Sequence, residues 1–200
     1  MLLKERAETE DGHEMTLQSN HLGHFLLTNL LLDRLKEAPK ARIVNVSSIA
    51  HDVKWCKNID FKDLDIKTRE YIGWDAYCYT KLLNILFTKE LSKRLTDTNV
   101  TCYTLHPGVI ETEIFRDFFK GDNLFYTMFQ ILAWPFVKLV MKNAWQGAQT
   151  TIYCAVDENL DGISGKYYSD CHESKLKNSV AEDENVAKEL WETSSQMVQI

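Results

Sequence analysis

A phenol, an ammonium and an amide recur along one stretch of this chain: Tyr77, Lys81 and Asn84, at i, i+4 and i+7. On a helix that spacing stacks the three on one face. A phenol with a pKa near ~10 is a poor acid or base at neutral pH, but an ammonium one helical turn away favours the phenolate and draws the pKa toward the working range. So placed, Tyr77 passes a proton to or from an alcohol. With eight tyrosines in the chain, a Tyr and a Lys four residues apart also arise by chance, so the weight falls on what surrounds the pair.

The surroundings have a helical pattern. Tyr79, Leu82, Leu83, Leu86, Phe87, Leu91 and Leu95 recur at helical spacing and predict a helix over residues 75–95. Residues 42–48, Arg-Ile-Val-Asn-Val-Ser-Ser, form a short β-branched run that predicts a strand buried on both faces, as in a parallel sheet. Ser47 and Ser48 fall at its carboxyl end, where open α/β sheets place ligands. A second strand is expected over 100–105, ending in His106-Pro107-Gly108 with Thr112 soon after; strand, helix and strand of these lengths make a right-handed crossover unit. Pro107 and Gly108 break the strand where a cofactor would sit, and Thr112 offers it a hydroxyl.

Other segments frame this unit. A helix is expected over about 15–36, burying Leu22, Phe25, Leu26, Leu30 and Leu35; Asn20 and Gly23 sit poorly in it, Gly23 at roughly 1 kcal/mol against Ala. Two accounts fit them, close packing with Asn20 in solvent, or the near approach of a backbone or ligand. Residues 51–74 predict an excursion carrying a short helix. Helices follow at 145–156, with Gly147 and Ala148 as close-packing positions, and at about 182–197, with Val186, Leu190, Trp191, Ser194 and Met197 on one side; a third strand covers 166–168. Residues 124–141 are almost wholly apolar and aromatic, interrupted by Pro135 and Lys138. They predict a lid helix pair over an apolar pocket that dips into a membrane surface, in preference to a spanning helix.

Composition narrows the function classes. At 44% hydrophobic content 200 residues suffice for one cored domain, and a net charge of −6 with dispersed Lys and Arg gives no footprint for nucleic acid. Five widely spaced cysteines lack zinc or disulfide spacing and fit a reducing, cytosol-facing environment. His21 and His24 lack a metal-binding signature, so no metal is expected. The opening residues Met-Leu-Leu-Lys-Glu-Arg run into acidic ones without the apolar segment of a secretory signal.

Taken in order, Asn20-x-x-Gly23-x-Phe25, Asn45-Val46-Ser47-Ser48, Tyr77-x-x-x-Lys81-x-x-Asn84 and Pro107-Gly108 resemble the short-chain dehydrogenase/reductase family. Asn20-His21-Leu22-Gly23-His24-Phe25, Lys81-Leu82-Leu83-Asn84-Ile85-Leu86-Phe87, Gly147-Ala148-Gln149-Thr150 and Ser164-Gly165-Lys166-Tyr167-Tyr168-Ser169-Asp170-Cys171 are similar to its retinol dehydrogenase branch. The resemblance implies an α/β fold, the C-terminal part of a doubly wound parallel-sheet, Rossmann-like domain. It implies Tyr77 as acid/base, Lys81 lowering its pKa and holding the nicotinamide ribose, Ser48 rather than Ser47 bonding the reacting oxygen, and Asn20 holding a water that links Lys81 to solvent. Pro107, Gly108 and Thr112 would border the nicotinamide. The implied reaction is NADP-dependent interconversion of an apolar, retinol-like alcohol and its aldehyde or ketone, with NAD as the alternative cofactor. Cytosol-facing association with the endoplasmic reticulum and dimer formation belong to the same expectation.

The chain departs from that family in one respect. Its first glycines are Gly12 and Gly23, so a phosphate-cradling glycine turn is missing. The expectation is a single truncated domain over 1–200 with an apolar lid at about 115–143. A competing expectation is a non-catalytic form, unable to bind cofactor, that pairs with another subunit through the exposed edge of its strand at Ile43.

Overall fold

A computed structural model describes residues 1–52, 59–110 and 141–200. Among them four strands form one sheet: β1 (Ala41–Val46), β2 (Val100–His106), β3 (Lys166–Ser169) and β4 (His172–Glu173), in that order. β1, β2 and β3 run parallel, Val46 beside Leu105 and His106 beside Ser169. β4 returns antiparallel through Asp170 and Cys171, both at positive φ. Two consecutive left-handed residues give the turn that matches the twist of a hairpin.

Alternation along the strands assigns their faces. Ala41, Ile43, Val100 and Cys102 pack with Phe87 and Leu91 of α3 (Gly73–Arg94), while Tyr103, Leu105 and Tyr168 pack on Cys154 of α4 (Ala144–Val156). The sheet is therefore the middle layer of three. β2 is buried along nearly its whole length, but Val46 of β1 is 38% exposed. The expectation of a strand buried on both faces holds for β2 and fails at the end of β1, the terminal strand of the described sheet.

The helix nearest the site is broken where continuity was expected. α1 (Met15–Leu17) passes into a π-helical turn, Gln18–Leu22, before α2 (Gly23–Glu37). The Gly23 N–H donates to Gln18 O, five residues back, and a Cβ on Gly23 would lie 3.2 Å from that oxygen. Glycine suits this widened turn, a device seen mostly at functional sites. Leu22 and Phe25 are buried as expected; Leu30 is 68% exposed and Leu35 only partly covered, because beyond Phe25 the helix runs off the core.

Two other expectations need correcting. Residues 59–72 hold no helix: Asp63 instead accepts the backbone N–H of Lys67 (2.6 Å) and Thr68 (3.1 Å) and organises a turn; among the described residues the short helical piece of the excursion is Ile49–Asp52 at its start, and 53–58 lie outside the described residues. Gly147 is a close-packing position, a Cβ there meeting Ile110 at 2.2 Å, but Ala148 faces out. The lid at 115–143 falls, up to residue 140, outside the described residues.

The amino-terminal segment is anchored by buried carboxylates. Glu14, fully buried, accepts from the N–H groups of Thr16 (2.8 Å) and Leu17 (2.6 Å) and from the Tyr71 hydroxyl (3.1 Å). It caps α1 and ties it to the approach to α3. Glu14→Ala should lower unfolding free energy by about 2 kcal/mol, a lost cap plus stranded donors; urea melts at neutral pH measure it.

The last helix, α5 (Glu184–Met197), lies against α3. Its Trp191 ring sits 4.9 Å from Phe25 and 5.8 Å from Phe87, and the Arg94 guanidinium lies 4.3 Å above it. This aromatic cluster joins α2, α3 and α5 into one layer.

Candidate active site

α3 delivers the chemical face. Tyr77 is partly buried in its first turns and stacks on Trp74 at 5.7 Å, Lys81 is 9% exposed, and Asn84 is fully buried. The carboxyl end of β1 meets this face from the sheet, and the serines divide between two tasks. Ser47 turns inward and donates to Lys81 O at 2.6 Å, holding the helix to the strand. The Ser48 side chain acts on the Tyr77 phenol, and its hydroxyl accepts from Ala50 N–H at 3.2 Å. Alternation lets only one of two adjacent strand-end residues face the cleft.

Lys81 aims its ammonium at Val46 O, 3.2 Å away, and lies 5.4 Å from the centre of the Tyr77 ring. Burial drives its pKa down to about 8. The phenol of Tyr77 is raised above its ordinary value by burial, the neighbouring Ser48 side chain opposing this. The expectation that Lys81 draws the phenol downward is thus corrected for this state. The causes acting on the phenol are burial, Ser48 and Cys78, and the Lys81 ammonium lies against a backbone carbonyl and the ring of Tyr77.

Asn20 sits in the π turn. Its carbonyl accepts from Asn84 Nδ2 at 2.9 Å, and its own Nδ2 donates to Thr80 Oγ1 (3.1 Å) and Met1 O (2.8 Å). Its Oδ1 accepts from the Met1 amino group at 2.5 Å. Of the two accounts of Asn20, burial at 4% exposure excludes the solvent-facing one. Pro107 and Gly108 follow β2 at the same end of the sheet, Ser47 N–H bonding Leu105 O at 2.8 Å. Gly108 adopts φ +96, and a Cβ there would lie 2.6 Å from the Lys142 side chain, so only glycine suits this turn. Thr112 is outside the described residues.

Several site residues escape the motif spacing. His51 donates its Nδ1–H to Ser48 O at 2.5 Å, leaving Nε2 as a buried lone pair with no partner among the described residues; Nδ1 of His106 is likewise unpartnered among them. Burial lowers both imidazoles, His106 to about 4, so both are neutral at pH 7. His51 was findable, three residues past Ser48. Thr80, His21 and Ser194, linked to Asn20 and Asn84, carried no such signal.

Comparison with known proteins bears on this geometry. No family model matches the chain. Retinol dehydrogenase 12 of Bos taurus is 42% identical over 194 residues, 97% of this chain and 57% of that protein. Retinol dehydrogenase 13 of Homo sapiens is 47% identical over 191 residues, 95% of this chain and 55% of that protein. Over nearly its whole length the chain is similar to these retinol dehydrogenases. It spans a little over half the length of these relatives. Among solved structures, an uncharacterized protein from Mycobacterium paratuberculosis matches with a TM-score of 0.71 at 30% identity, covering 100% of this chain and 64% of that one. A short chain dehydrogenase from Salmonella enterica serovar Typhi shares the fold, with a TM-score of 0.55 at 14% identity over 85% of this chain and 59% of that one. The sheet and helices described here are thus part of a Rossmann-like short-chain dehydrogenase/reductase fold. Among the described residues no helix is long and apolar enough to cross a membrane.

Proposed function

We propose that this chain carries the proton-transfer and nicotinamide-side machinery of an NADP-dependent oxidoreductase acting on apolar, retinal-like aldehydes or ketones and their alcohols. The observation that carries the reading is the meeting of Tyr77, Ser48 and Lys81 where β1 ends against α3. Tyr77 and Ser48, whose side chains act on each other, form a pair that can clasp one oxygen, that of the substrate. Ser48 orients this oxygen and Tyr77 moves a proton to or from it. With the phenol protonated at neutral pH, the described state can donate a proton to a carbonyl oxygen.

The residues present fit a nicotinamide group. The positive φ at Gly108 keeps side-chain bulk out of the turn after β2, and the unpartnered nitrogens of His51 and His106 at that end of the sheet suit a ligand bringing its own polar hydrogens. Lys81, Tyr77 and Asn20 would hold the ribose side and Pro107, Gly108 and Thr112 the ring side. The cofactor, when bound, supplies the hydride; the protein's residues orient it, exclude water and handle the proton. The preference for NADP over NAD, and for a retinoid among apolar carbonyls, rests on likeness to the retinol dehydrogenases.

Titration with NADPH, followed through quenching of the five tryptophans, tests the reading. Saturation in the micromolar range, with reduction of all-trans-retinal following, is the expected outcome. A cooperatively folded protein that binds neither NADPH nor NADH overturns it.

A further inference from the structure

One buried titratable group has no part in the chemistry just described. His21, the residue after Asn20, is 0% exposed, and both its ring nitrogens are engaged: Nδ1 with Asn84 Oδ1 at 3.3 Å and Nε2 with Ser194 Oγ at 2.9 Å. The directions follow by elimination. Asn84 donates its Nδ2 to Asn20 O at 2.9 Å, so its Oδ1 is the end that faces His21, and a carbonyl oxygen accepts. Nδ1 therefore carries the proton, and Nε2 is the lone pair that accepts the Ser194 hydroxyl.

Every link then donates in the same sense, from Ser194 to His21 to Asn84 to the Asn20 carbonyl. A run of that kind polarises each of its bonds, and in a dry interior an unmade link is costly. Burial holds the imidazole neutral, with a pKa of about 4, which preserves the single tautomer the run requires; His24 is the other titratable group acting on it. The Phe25 and Phe87 rings flank it at 6.2 and 6.1 Å and keep water away.

The run ends on the π turn. A widened turn has poorer hydrogen bonding than the α-helix around it and persists where outside contacts hold it. Asn84 supplies that contact at Asn20, and Lys81 stands one helical turn before Asn84 on α3, buried beside the same junction. We propose that His21 and Ser194 are positioning residues that clamp the Asn84 amide against the Asn20 carbonyl, so that helix α5, 173 residues further along the chain, is part of the active-site scaffold. The role in catalysis rests on the oxidoreductase reading; the clamp itself does not.

The readout is the Lys81 amine, because its depressed pKa has burial as its cause and burial depends on the π turn staying seated on α3. Side-chain NMR of labelled protein should give a wild-type midpoint of about 8. His21→Leu, which removes both links, should raise that midpoint by at least one unit as water enters the junction. His21→Asn, whose amide restores a donor near the Nδ1 position, should return it toward wild type. Ser194→Ala should give a smaller rise and carries the test if His21→Leu fails to fold. A His21→Leu protein, or in its place Ser194→Ala, that melts at lower temperature yet titrates at Lys81 like wild type would reduce these residues to core filling and overturn the proposal. Finding the Nε2–H tautomer of His21 in ring-nitrogen spectra would overturn it as well. Failure of the oxidoreductase reading shows separately, as wild-type protein that binds no nicotinamide cofactor while the Lys81 titrations behave as described.

Discussion

Tyr77→Phe should lower the reduction of an apolar aldehyde by roughly 10²–10⁴-fold, the span that a positioned general acid contributes. The substitution removes one oxygen and keeps the ring, so the 5.7 Å stack on Trp74 survives and NADPH affinity should change little. The loss should therefore fall on kcat. Stability should change by no more than about 1 kcal/mol, since the change removes a single hydroxyl from a partly buried setting. Steady-state kinetics beside a thermal melt separate the outcomes. Unchanged kcat in a folded variant would remove Tyr77 from the chemistry, whereas a large fall in melting temperature would recast it as a packing residue.

Lys81→Met should do the opposite to stability. Burial takes the Lys81 amine from an ordinary value of 10.5 to about 8, a difference worth about 3 kcal/mol of cost for holding the charged form in the fold. Against this stands the bond to Val46 O at 3.2 Å, worth about 1 kcal/mol. The variant should thus be more stable by about 2 kcal/mol at pH 7, although it loses the cationic group assigned to the nicotinamide ribose.

The sign of the pH dependence follows from linkage. Below about 8 the amine is charged in both folded and unfolded chains, and the full cost is present. As pH rises from about 8 to 10.5 the folded protein releases its proton first, the unfolded chain binds more protons, and wild-type stability rises. Urea melts of wild type and Lys81→Met at pH 7 and pH 10 should show a difference that shrinks or reverses at the higher pH. A constant difference would mean that Lys81 titrates normally in the fold. A residue that destabilises its own fold in this way is expected where function rather than packing keeps it.

Much of the site was legible before folding was considered. The i, i+4, i+7 spacing of Tyr77, Lys81 and Asn84 on an apolar-striped helix is local information, and the helix forms as Gly73–Arg94. The two β-branched runs flanking it pair in parallel, as short buried strands joined by a helical crossover must. Assignment of Ser48 rested on family pattern and alternation, and the structure turns Ser47 to Lys81 O and Ser48 to Tyr77.

What the sequence determined by itself was periodicity: which residues share a helix face, which strands are buried, and which side chains of a four-part motif stand in order. Tertiary structure decided the rest, since those properties depend on groups far apart in the chain. The phenol of Tyr77 is raised rather than lowered because desolvation by the packed sheet and helices outweighs the opposing effect of Ser48. Leu30 is exposed although its apolar type predicts burial, because α2 extends past the core. The π turn at Gln18–Leu22 and the Ser194 to Asn20 run are visible only once α5 is laid on α3: a hydrogen bond between residues 173 positions apart leaves no periodic trace, because its partners are brought together by packing and not by spacing.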